Sequence, residues 1–415
     1  MKRFTFILLF LFSFTNFLAS QERFVGDGLF QIFGNSVQKR IGKSHFEIES
    51  INTYNRNQKR ITKTNALKLD SVINYDVNNK ATYKNAFFYN NLGQTTKSIR
   101  YRSTSHDSLG ISAFAIQHFQ YDSNGYCTNV RFQIVNKPNR RGVATLDFKY
   151  NTNGLLISRI TKSRWDTTDW ENISKITVSY TDSKQILQTT NYNWEDSVWA
   201  PIMRLEFSYD SVDNNTHVLY LHYKDRWIVR GSYYDLYNFN NKIIYSYACM
   251  PSKDSIGNCD TAYKRHYYYD SNNNLVREEK YSTSSAQGTK HQYIYDTLGN
   301  LISKETYYSQ SKYGEWKISS RYKYSYDGFN NRTEELLYHI KTENGKEDKD
   351  LEDKTQFVVD ATQNSDSTIV FPFLFFGPKG SPYLMKKEFY SWEQNGEWNK
   401  PNIEKFFYSM LSPKD

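Results

Sequence analysis

Proline and cysteine are scarce in this chain of 415 residues, with 8 and 3 copies, and glycine numbers only 19. So few cysteines exclude a disulfide-dense fold, and so little glycine and proline excludes collagen-like and low-complexity chains. Apart from the first twenty residues, no apolar run reaches spanning length, and the mean hydropathy of -0.75 excludes a polytopic helical membrane protein. No block of five like charges occurs, and Lys and Glu are interspersed. Diffuse charge and the absence of a recognition module argue against nucleic-acid binding. Catalytic signatures are missing too. The eight histidines are scattered, and no nucleophile elbow, phosphate loop, zincin motif or EF-hand set is present. The chain reads as non-enzymatic, with no cofactor.

What is abundant is tyrosine, 35 copies, followed by 27 phenylalanines. Aromatics at 17% are too many for a disordered chain, because they provide the apolar surface a fold can bury. In a polar sequence they suit strands with one wet face.

Residues 1–20 read as a cleavable secretory signal. Lys2 and Arg3 precede the apolar stretch Phe4 to Phe12, and Ala19-Ser20 supply small residues before Gln21. Cleavage would lower the formal charge of +9 by two. An exported chain resides in the periplasm, on the outer surface or outside the cell. Oxidation is possible there, so Cys249 and Cys259, which flank a turn-rich insert, form a candidate disulfide across a hairpin. Cys127 is left over as a small buried residue.

The chain repeats itself. Tyr295-Asp296-Thr297-Leu298-Gly299-Asn300-Leu301 and Tyr269-Asp270-Ser271-Asn272-Asn273-Asn274-Leu275 are the clearest copies of an aromatic corner, a polar turn and an aliphatic run. Corners begin at Tyr89, Tyr121, Tyr150, Tyr180, Tyr209, Tyr237, Tyr269, Tyr295 and Tyr326, between 26 and 32 residues apart, which is the length of one hairpin. Asp or Asn at the turn entrance can accept from its own backbone two residues on, and a later Gly or Asn supplies the positive φ. A second turn in each repeat is marked by tryptophan: Trp165 with Trp170, Trp194 with Trp199, Trp392 with Trp398, and Trp316 alone. Tryptophans at both shoulders of a hairpin can pack across the strands.

The expected fold is all-β: an elongated antiparallel meander of serial β-hairpin repeats of about 30 residues, in a twisted or curled sheet. On the order of 20 strands at about 4.8 Å would extend roughly 100 Å before twist and curl. Residues 21–69 are expected to cap the first edge, 70–340 to form the repeats, and 341–415 to supply a charged linker (Lys341 to Lys354) and capping hairpins. The apolar segment Val370 to Gly377 reads as a cap tucked under the sheet, with a partner or membrane contact as the alternative.

At these corners, over roughly Tyr75 to Tyr338, the chain resembles the tyrosine–aspartate (YD) repeats of the rearrangement-hot-spot and teneurin-like families. The tryptophan-shouldered variant is similar to repeats of exported Bacteroidetes proteins, and bacterial MORN repeats are a second, weaker resemblance. Long members of the first group wind into a spiral shell around a cargo. This chain has too few repeats for such a shell and no recognisable toxin domain. The resemblance implies a non-enzymatic exported protein presenting an extended β-surface for envelope structure or a protein or glycan partner. Exposed Tyr and Trp suggest carbohydrate stacking as the alternative. Asp followed by Ser or Thr and a small or aliphatic residue also resembles the O-glycosylation acceptor motif of Bacteroidetes. That makes Ser71, Ser108, Thr167, Ser197, Ser211, Ser255, Thr261, Thr297 and Ser367 candidate sites, although the same dipeptides are good turn formers.

Overall fold

The computed structural model describes residues 67–103, 111–135, 142–165, 169–251, 259–282, 287–309, 314–328, 330–343, 346–359, 369–370, 384–391 and 397–410. The signal, the cap up to residue 66, and residues 371–377 of the apolar segment lie outside these. The strands are β1 (Leu67–Tyr75), β2 (Ala81–Tyr89), β3 (Thr95–Ser103), β4 (Ile111–Tyr121), β5 (Cys127–Ile134), β6 (Gly142–Tyr150), β7 (Leu156–Trp165) and β8 (Glu171–Tyr180). Then come β9 (Ile186–Glu195), β10 (Val198–Tyr209), β11 (Asn215–Lys224), β12 (Arg226–Tyr237), β13 (Ile243–Pro251), β14 (Cys259–Tyr269), β15 (Leu275–Ser282) and β16 (Gly288–Tyr295). The last are β17 (Leu301–Ser309), β18 (Lys317–Tyr326), β19 (Arg332–Glu343), β20 (Lys346–Val359), β21 (Ile369–Val370), β22 (Leu384–Ser391) and β23 (Asn402–Met410).

Each strand from β1 to β19 pairs antiparallel with the next, β20 pairs with β22, and β22 with β23. The serial hairpins and the all-β class are therefore as expected. The open meander is not. β23 returns to pair antiparallel with β1, Val72 opposite Phe406 and Tyr75 opposite Ile403, so the sheet closes into a 22-strand barrel. The two-residue β21 adds to Leu67 and Lys68 in parallel. Accumulated twist brings the ends of a long sheet round, and joining them removes both unpaired edges, so each edge caps the other. A circular section would be roughly 40 Å across at the usual strand spacing and tilt.

The linker expectation is corrected as well. Lys341 to Lys354 runs through the β19–β20 hairpin, with Lys341 opposite Asp348 and Leu336 opposite Lys354 in register. Closely alternating charge of both signs suits a strand pair with solvated faces as readily as a linker.

The corners show how the repeat works. At Asp122, the side-chain Oδ1 accepts from the N–H of Asn124 at 3.0 Å and of Tyr126 at 2.9 Å. The backbone closes the loop through Gly125 N–H to the Asp122 carbonyl, with Gly125 at φ +83°. Asn90, Asn151, Asp210, Asn238, Asp270 and Asp296 accept the same two side-chain bonds. Where glycine is absent from the fourth position, Asn79, Lys184, Asp213, Asn241, Asn273 and Asn330 take the positive φ.

The tyrosine before each corner does something that spacing alone does not show. Each of the nine hydroxyls donates to a backbone carbonyl at or near the start of the strand that begins the same repeat. Tyr89 reaches Leu69, Tyr121 Thr95, Tyr150 Cys127, Tyr180 Leu156 and Tyr209 Ile186, all within 2.6–2.8 Å. Tyr237 reaches Asn215, Tyr269 Ile243, Tyr295 Leu275 and Tyr326 Leu301, at 2.8–2.9 Å. Each corner is thereby tied to the strand left by the previous corner, which is nearest-neighbour coupling of repeats in hydrogen-bonded form.

These tyrosines define one face of the wall. By register the same face carries Phe119, Val130, Phe148, Leu156, Ile176, Val178, Ile186, Leu205 and Phe207, a buried apolar cluster running from β4 to β10. The other face is called the reverse face below. Corners occupy one rim of the barrel, and the tryptophan turns occupy the other. Trp194 and Trp199 meet there across β9 and β10 at 4.8 Å, edge to face, as the paired spacing implied.

Candidate binding surface

Five of the described rim tryptophans carry a cation over one ring face. Arg164 lies over the Trp170 ring at 5.2 Å, Lys175 over Trp199 at 5.9 Å and Arg204 over Trp227 at 4.2 Å. Lys290 covers Trp316 at 5.4 Å and Lys354 covers Trp398 at 4.7 Å. Five ring faces thus have a cation of their own wall against them. This favours stability over ligand stacking at these positions.

The reverse face between β11 and β18 is different in kind. Register places His217, Tyr234 and Tyr247 side by side on successive strands, with ring centroids 4.3 and 4.6 Å apart and planes within 14° and 9°. Burial of His217 in this stack holds its pKa below the ordinary imidazole value. Toward the later strands, a second row runs Tyr268, Arg277, Gln292, Glu305, Arg321, each opposite the next in register. Arg277 stacks on Tyr268 at 3.8 Å and lies 3.4 Å from Glu279, while Arg321 donates to Glu305 at 2.6 Å. Around the middle of this row is a cleft of about 500 Å³, lined by Tyr268, Val276, Arg277, Gln292, Ile294 and Glu305 among others.

Behind that row, on the tyrosine face, lies a buried polar group. Arg265, 1% exposed, pairs with Glu278 at 3.1 Å, and Glu278 also accepts from the Tyr293 hydroxyl. Ser246 donates to Asp235 and accepts from Tyr233. Burial raises the Asp235 carboxyl above its ordinary value, and burial together with the Arg265 charge lowers Lys280 to about 8. The charges compensate one another, so the cluster fits a wall held together by polar contacts. Among the described residues, no group of three or more His, Cys, Asp or Glu could hold a metal ion.

The individual site residues fall in several places. Cys249 is disulfide-bonded, while Cys127 is free and buried, its thiol pKa pushed up by desolvation. Cys259 is at the start of β14 opposite Pro251, two residues from the partner of Cys249; its side chain lies outside the described residues. Ser197, Ser211 and Thr297 are exposed turn residues. Ser71 is 9% exposed within β1, where it pairs with Ala86 on one side and with Phe407 of β23 on the other, so in the closed barrel its hydroxyl is covered. Thr261 is in β14, with its side chain outside the described residues, and Ser108, Thr167, Ser255 and Ser367 lie outside them altogether.

Neither the tyrosine-to-carbonyl ties nor the reverse-face row was identified from sequence. The ties were implicit in the constant spacing of the corners. The row depends on cross-strand register, which no local pattern reports.

No family model matches this chain, and no curated protein does. Among solved structures, a likeness to TcdB2-TccC3-TEV has 11% identity and a TM-score of 0.26, covering 80% of this chain and 18% of that one. A porin-like protein from Bacteroides uniformis has 12% identity and a TM-score of 0.26, over 54% of this chain and 94% of that one. A DUF3836 family protein from Parabacteroides distasonis has 13% identity and a TM-score of 0.18, over 29% and 92%. This chain therefore spans less than a fifth of the length of the first. These likenesses are coarse and carry no argument about activity or partners. No helix among the described residues is long and apolar enough to cross a membrane, which says nothing about strands.

Proposed function

We propose that the protein is an exported, non-enzymatic repeat barrel that stands in water at the cell envelope and offers its wall to a partner. The observation that supports this reading is charge at mid-wall on both faces. Lys175, Arg204, Glu206 and Arg277 sit on the reverse face, and Arg265, Glu278 and Lys304 on the tyrosine face, by register. A lipid-facing band does not tolerate such residues at depth. Both surfaces are then free for protein or glycan contact, and the aromatic and charged band of β11–β18 is the more contiguous. A second reading, carbohydrate binding, is favoured by the cleft on that band and not by the cation-covered tryptophans.

Purification from the native host with chemical cross-linking tests the proposal. The expected product is found in the exported fractions, has lost residues 1–20, and contains a Cys249–Cys259 bridge. Added hexose mass, where present, maps to Ser197, Ser211 or Thr297. Cross-links to a partner are expected at reverse-face lysines such as Lys264 and Lys290. An unprocessed cytoplasmic chain would contradict the reading.

A further inference from the structure

The reverse-face cleft has the makings of a site. Its walls are set by the strand register, because Arg277, Gln292 and Glu305 are opposite one another on β15, β16 and β17. The charges at its two ends are already matched, Arg277 by Glu279 and Glu305 by Arg321. The cleft therefore has no net charge with which to draw in an anion or a cation. Glu305 also accepts from the Tyr307 hydroxyl. Two of the lining groups keep hydrogen-bonding capacity. The Gln292 amide has no hydrogen-bond partner among the described residues, and neither do the terminal nitrogens of Arg277. The same cleft is lined by Ile294, 49% exposed, and by Val276, which offer apolar surface, and by Tyr268.

A pyranose ring matches this arrangement. Its axial C–H groups form an apolar face, and its hydroxyls both donate and accept. Gln292 provides one donor and one acceptor group, Arg277 provides donors, and Glu305 retains acceptor lone pairs. The volume, about 500 Å³, lies in the ordinary range of small-ligand clefts. We infer that the cleft between Tyr268, Gln292 and Glu305 binds a neutral sugar, with the ring face on Ile294 and Val276 and the hydroxyls on Gln292 and Arg277. The inference rests on the second reading above and narrows it to one place and one chemical class.

Calorimetric titration of the full chain provides the test. The probes are glucose, galactose, mannose and N-acetylglucosamine with their oligomers, and galacturonate as the acidic control. Wild type is expected to bind at least one neutral probe. Gln292→Ala should weaken that binding at least tenfold, as should Ile294→Asp, while Gln133→Ala on another part of the wall leaves it unchanged. Circular dichroism melting is run on each variant, and Gln292→Ser replaces Gln292→Ala if the latter fails to fold. Equal binding by wild type and Gln292→Ala would overturn the cleft while leaving a glycan-binding wall intact. Failure of every neutral probe would overturn both. Preference for galacturonate would overturn the neutral class.

Discussion

Alanine at Gly154 is expected to destabilise the barrel by about 3 kcal/mol, from a positive-φ cost of about 1–2 and an overpacking cost of about 1–3. Gly154 takes the positive-φ position of the Asn151 corner, at φ +75°, and an added Cβ would come within 2.4 Å of the Tyr126 hydroxyl oxygen and 2.5 Å of its Cζ. The Tyr126 ring is 6% exposed and packs 5.3 Å from the ring of Tyr150, the corner tyrosine of the same repeat. It cannot move aside without disturbing the tie from Tyr150 to Cys127. Gly299 is the control. It has φ +83° at the equivalent place, but nothing lies within 4 Å of its added Cβ. Asn already occupies that position at Asn241, Asn273 and Asn330. Gly299→Asn should therefore be nearly neutral in chemical denaturation, and Gly154→Asn strongly destabilising. Equal effects would mean that the Tyr126 packing is not as described.

The second large effect is expected at Arg265. Its guanidinium and the Glu278 carboxylate have side chains 2% and 8% exposed, so removing one partner leaves the other charged, buried and without its counter-ion. Arg265→Ala should cost about 3–5 kcal/mol for that reason. Most of the loss should be recovered in the double variant Arg265→Met with Glu278→Gln, which removes both charges while retaining volume. Urea denaturation of the four proteins completes the cycle. No recovery in the double variant would show that Arg265 acts through other contacts, of which the hydrogen bond to Tyr267 at 3.4 Å is one.

These two sites illustrate what could be read from residues alone. The corner at Asn151 was legible because turn chemistry is local: an acceptor at the entrance and a residue tolerant of positive φ three places later suffice. The hairpin period and the approximate strand number followed from that. Arg265 and Glu278 were not legible as a pair. They sit on neighbouring strands with mixed polarity on both faces, and nothing short of the register Tyr267 to Glu278 brings them together. The cleft was hidden for the same reason, since Gln292 is unremarkable until Arg277 and Glu305 are placed on either side. Closure was the largest difference. Val72 and Phe406 stand at opposite ends of the described chain, in segments that each read as an edge, and no periodicity signals that two edges fit one another. The charged stretch Lys341 to Lys354 misled because alternating charge describes a wet strand and a linker equally well.

Closure is also the claim on which the rest depends, because it decides that the wall has no free edge and that Ser71 is covered. Spin labels on Ile73→Cys and Lys405→Cys, which are opposite one another across β1 and β23, test it directly by pulsed electron resonance. Cys127 is buried with a raised thiol pKa and Cys249 is bridged, so neither competes for label. The closed barrel predicts a single label separation below roughly 20 Å, given that opposed Cβ atoms lie about 5 Å apart. An open sheet of this many strands would place the labels many tens of ångströms apart, up to roughly 100 Å at about 4.8 Å per strand, and that result would contradict the barrel.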